Sequence, residues 1–79
     1  MTYIIPSMIA DVRKMLEAQP FVPFTIVTSG GNEYPVATAD HADINPRGTQ
    51  AVVWLDHGGC VIVPGLHMAS LLKNSTPSV

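Results

Sequence analysis

The sequence predicts a mainly β domain with one N-terminal helix, its strands forming a five-stranded, strongly bent small barrel. Three observations predict it. Apolar residues near the start recur at helical spacing. From Phe24 onward, short runs of β-branched and aromatic residues alternate with Gly, Pro, Asn and Asp clusters. These runs, about five of them, recur at roughly ten-residue spacing, the rhythm of a small barrel or bent meander.

The helix is expected from Ser7 to Gln19. Ser7 is placed to accept an early backbone N–H as an N-cap. Met8, Ile9, Val12, Met15 and Leu16 follow at three- and four-residue intervals and form one apolar stripe. Asp11, Arg13, Lys14 and Glu17 fall mostly opposite, and Pro20 ends the helix. Two cations and two anions on that polar side argue against a membrane-surface helix.

"FTIVTS" reads as the first strand and "EYPV" as its return, with Pro35 marking an edge or a bulge. Gly30-Gly31-Asn32 between them supplies hairpin chemistry. A phosphate-cradling loop would need a helix start after the glycines, often with a lysine. Here a second strand follows. Asp40-His41 forms a bend, "ADI" a short strand and "NPRG" a turn. "QAVVWL", "DHGG" and "CVIV" then make strand, turn and strand. "LHMASLL" closes the domain as a last strand or a short helical turn. Residues 1–72 are expected to be one domain, with 73–79, "KNSTPSV", as a polar tail.

A chain of 79 residues is one domain at most, and at that size a lone core is marginal. Charged residues are 13% and apolar residues 47% of the chain, so there is little charge to solvate every face of a monomer. Both faces of "QAVVWL" and "CVIV" are apolar. One can fill the interior; the other must meet the helix or a second subunit. The residues expected at a subunit contact are Val52, Trp54, Val61, Val63, Met68 and Leu71, in a homo-oligomer or ring. One cysteine, Cys60, excludes an internal disulfide framework. The lone thiol, and a start from Met1 to Ala10 without an export signal, point to the cytoplasm. No stretch reaches the roughly 18–20 apolar residues of a membrane helix.

The order of helix, hairpin and later strands resembles the Sm-like small-barrel fold, itself SH3-like. "VIVPGLHMASLLK" is similar to the end of the bacterial Sm-type RNA chaperone. There a histidine follows the fourth strand and precedes a short fifth strand that pairs with the next subunit. The resemblance places His67 at that histidine and Met68, Ala69 and Ser70 in the pairing strand. Leu66 stands where the chaperone has a lysine beside its histidine. "PFVPFTI", "SGGNEYPV" and "LHMASL" also resemble a group of small uncharacterised bacterial proteins, over about residues 12–72.

Candidate chemistry is sparse. The histidines His41, His57 and His67, with Asp40, Asp43 and Asp56, raise a metal site. Adjacent residues on an extended chain point to opposite faces, and the aspartates read as turn caps, so no metal or cofactor is expected. Cys60, His57 and Asp56 could supply nucleophile, base and orienter, but no strained elbow or oxyanion loop accompanies them. Catalytic residues are not expected, and Cys60 reads as a buried, inert thiol. Asn74-Ser75-Thr76 matches a glycosylation pattern that a cytoplasmic chain does not use. For RNA, the candidates are His67, Tyr34 as a stacking group, and the cations Arg47 and Lys73.

These readings order the functional classes. A non-enzymatic, self-associating small-barrel module comes first. A ring binding single-stranded RNA is the alternative, weakened by a net charge of −2 and four scattered Lys and Arg residues. A small metal-dependent or hydrolytic enzyme is third.

Overall fold

The computed structural model describes residues 8–73. Helix α1 spans Ile9–Glu17, followed by six strands: β1 (Phe24–Thr28), β2 (Glu33–Val36), β3 (Ala42–Ile44), β4 (Gln50–Trp54), β5 (Cys60–Pro64) and β6 (Met68–Lys73). They form two antiparallel three-stranded sheets, ordered β2-β1-β6 and β3-β4-β5. The chain is mainly β with one N-terminal helix.

α1 is shorter than the apolar stripe predicts. Met8 occupies the N-cap without a side-chain hydrogen bond, and Ala18 is already extended, ahead of Pro20. The expected Ser7 cap and residues 74–79, including Asn74, lie outside the described residues. Lys73, placed in the tail by composition, is the last residue of β6.

The first hairpin turns as its glycines require. Gly31 adopts φ +88°, which an L side chain rarely reaches. Thr28 N–H donates to the Asn32 carbonyl at 2.9 Å, and Asn32 N–H returns to Thr28 Oγ1 at 3.1 Å. Pro35 sits on β2, an edge strand, where its missing N–H costs no ladder bond.

Five strands in a strongly bent small barrel were expected; six strands in two sheets are found, and no ladder joins the sheets among the described residues. The first break falls at Thr38. Its hydroxyl accepts from Asp40 N–H at 3.3 Å and caps the 3₁₀ turn Ala39–His41, which separates β2 from β3. A second 3₁₀ turn, Gly65–His67, carries the chain from β5 to β6. "LHMASLL" is therefore turn and strand in succession.

Every element feeds one core. Ile9 and Val12 come from α1, Phe24 and Ile26 from β1, and Val36, Ala42, Ala51, Val53, Val63 and Met68 from the remaining strands. Two-residue alternation then fixes what faces outward. With Ala51 and Val53 both fully buried, Val52 and Trp54 must project from the other face of β4. With Val63 at 2% exposure, β5 sends Cys60 and Ile62 the same way.

Candidate functional site

Three surface features carry the functional side chains: the outward face of β4-β5, a cleft beside the first hairpin, and a cleft beside Trp54.

The outward face of β4-β5 carries exposed Trp54 and Ile62 beside a half-buried Val52. Val52 stands directly opposite Ile62, and Trp54 opposite Cys60, in the β4-β5 ladder. Trp54 is 47% and Ile62 56% exposed. α1 packs towards β3 instead, so the helix does not supply the cover that two apolar faces demand. The six expected interface residues divide accordingly. Val52 and Trp54 lie on this face, whereas Val61 packs against the core and Leu71 is half-buried on β6. Val63 and Met68 are buried within the chain's own core, which removes them from any outer surface. Cys60, expected to be buried, is exposed, because Val61 and Val63 take the inward positions of its strand.

The cleft beside the hairpin, of about 350 Å³, runs between the β1-β2 loop and β5. Ser29, Asn32, Tyr34 and His67 give it polar groups, and Val61 to Pro64 form its other wall. Ser29 N–H donates to the His67 carbonyl at 2.8 Å, which fixes the second 3₁₀ turn against the hairpin. Thus Tyr34 and His67, 33 residues apart in sequence, meet at one cleft. Arg47 and Lys73 do not join them. Arg47 lies exposed in the β3-β4 turn, and Lys73 lines a separate notch with Lys14.

The third feature is a cleft of about 260 Å³ lined by Pro35, Ala37, His41, Trp54, Leu55, Asp56 and His57. At its edge Thr38 Oγ1 lies 2.8 Å from His41 Nδ1, and His41 Nε2 lies 3.3 Å from Asp56 Oδ1. Hydroxyl, imidazole and carboxylate are in the order of a nucleophile, base and orienter. The chemistry stops there. Thr38 Oγ1 already accepts the Asp40 N–H, and Asp56 is 92% exposed, so water competes for its carboxylate. The chain of bonds ties the connection between the sheets to the β4-β5 turn. Asp56 pairs with His41 and not with the neighbouring His57. No cluster of three or more His, Cys, Asp or Glu side chains able to hold a metal occurs among the described residues.

Sequence reasoning missed the Thr38–His41–Asp56 relay and the exposure of Ile62. The first has a local signal, since threonine three residues before histidine is cap spacing for a 3₁₀ turn. The second has none, because every residue of "CVIV" is apolar and either alternation reads equally well. No helix among the described residues is long and apolar enough to cross a membrane. No family model, curated protein or solved structure matches the chain.

Proposed function

We propose that the chain is a non-enzymatic, self-associating module of the Sm-like, SH3-like small-barrel type, acting in the cytoplasm as an assembly or interaction unit. The observation that carries this reading is the outward face of β4-β5, where Trp54 and Ile62 stand exposed beside a half-buried Val52 in a chain only 13% charged. Burying such a face against another copy removes apolar area from water at about 25 cal/mol per Å². Topology supports the small-barrel part. Taken as one bent strand, β2 and β3 make a five-strand path in which His67 follows the fourth strand and β6 is the fifth. β5 and β6 are both edge strands, so each offers a backbone edge to a neighbour.

The test is the native mass in solution, by light scattering on a sizing column across a dilution series. A closed oligomer is expected; a clean monomer at micromolar concentration overturns the reading.

A second reading, a ring binding single-stranded RNA, is favoured by the meeting of Tyr34 and His67 at one cleft. A half-buried tyrosine beside an imidazole can stack a base, and a ring concentrates its few cations. Binding that weakens steeply with salt supports it. Absence of binding to uridine-rich RNA at low salt refutes it.

A further inference from the structure

Two surface features share no residue yet complement each other. The Trp54 cleft has apolar walls in Pro35, Leu55 and the indole, and its fixed charge is Asp56, whose 92% exposed carboxylate also lies 3.3 Å from His41 Nε2. Asp40 lies exposed on the adjoining 3₁₀ turn. Neither lysine nor arginine lines it. On another part of the molecule a notch of about 140 Å³ is lined by Lys14, Met15, Ala18, Val22 and Lys73. It holds two of the chain's four Lys and Arg residues and no carboxylate. Both lysines are exposed, and among the described residues neither makes an ion pair.

We infer that the Trp54 cleft receives the exposed Lys14 and Lys73 side chains of a second copy of this chain, in a head-to-tail contact. The inference rests on the self-association reading and assigns its seat and polarity. A lysine stem lies well on an indole face, where the ammonium is drawn to the ring and its head reaches Asp56. In the head-to-tail arrangement the contact is heterologous: each copy gives its notch to one neighbour and its cleft to another. Such a contact closes a ring when the rotation permits and otherwise extends a filament. Its charges set orientation, since the reversed docking brings like charges together.

Charge exchange tests this. Asp56→Lys leaves both patches positive; Lys14→Glu with Lys73→Glu leaves both negative. All three positions are exposed, and circular dichroism melts check the fold. Each variant alone is expected to associate at least about tenfold more weakly than the unmodified chain. An equimolar mixture is expected to recover the original mass, because positive cleft meets negative notch and the reverse. Variants that assemble like the unmodified chain place the contact elsewhere and overturn the inference while self-association stands. A mixture that stays dissociated overturns it equally. An unmodified chain that is monomeric throughout removes the self-association reading itself. Should a reversal melt early, the unmodified chain decides through salt. Head-to-tail pairing weakens as the screening length falls to about 3 Å near 1 M, and association that does not weaken refutes it.

Discussion

Replacing Ile62 with lysine should separate assembly from folding. Ile62 stands on the outward face of β5, directly opposite Val52, and is 56% exposed. Burying an isoleucine side chain completely contributes about 1.5–3 kcal/mol. At 56% exposure, roughly 0.8–1.7 kcal/mol of that remains for a neighbouring copy to claim. With 1.4 kcal/mol per tenfold change, losing it weakens association roughly 4- to 15-fold per contact. A lysine ammonium trapped there without a partner adds a desolvation cost, so Ile62→Lys is expected to weaken assembly more than tenfold. The fold should survive, since the lysine stem still covers apolar surface; Tm is expected to fall by less than about 8 °C. Light scattering across a dilution series reads the first effect and a thermal melt the second. Ile62→Thr, which keeps the β-branch, should give a smaller loss of assembly at near-normal Tm. A dilution curve for Ile62→Lys that superimposes on the unmodified chain refutes the reasoning, because the face would then not be a contact.

Two further predictions concern the fold that presents this face. Phe24 is fully buried and pairs with both β2 and β6, so Phe24→Ala removes about 3–5 kcal/mol. Against about 4–12 kcal/mol for a domain of this length, that is between a quarter of the stability and all of it, and denaturant titration should show a correspondingly lower midpoint. Asn45 holds the β3-β4 turn: its Oδ1 accepts from the N–H groups of Thr49 at 2.8 Å and Gln50 at 2.9 Å, and its Nδ2 donates to Thr49 Oγ1 at 2.8 Å. Asn45→Ala should cost about 1–2 kcal/mol, a Tm loss of roughly 4–16 °C, and an unchanged melt would show that the turn holds without it.

The elements that proved legible in the sequence are those with a local cause. Gly30-Gly31-Asn32 turned the first hairpin because positive φ is a property of the residue itself. "ADI" formed its short strand, and Pro35 fell on an edge, for equally local reasons. The split into two sheets was not legible, since it comes with two 3₁₀ turns, Ala39–His41 and Gly65–His67, where the chain passes between them. Nor was the orientation of "CVIV", where only the ladder to β4 decides which residues face inward. For the candidate sites, Tyr34 and His67 were named but their meeting was not, because the hairpin and the second 3₁₀ turn are joined by a backbone bond. Backbone bonds of that kind leave no trace in side-chain composition. The placing of Val63 at an outer surface failed for the same reason as Cys60: an all-apolar run hides its own alternation.

The pairing of Trp54 with Cys60 gives the molecule a built-in optical readout. The chain has one tryptophan and one cysteine, and the β4-β5 ladder sets them side by side on the outward face. Indole emission shifts to the blue when its surroundings dry out, and a nearby thiol dims it. A single fluorophore on Cys60 would therefore report from the same few ångströms as the native indole. Concentration-dependent spectra of the unaltered chain can follow whatever comes to rest on that sheet, from micromolar solutions downwards, without a tag.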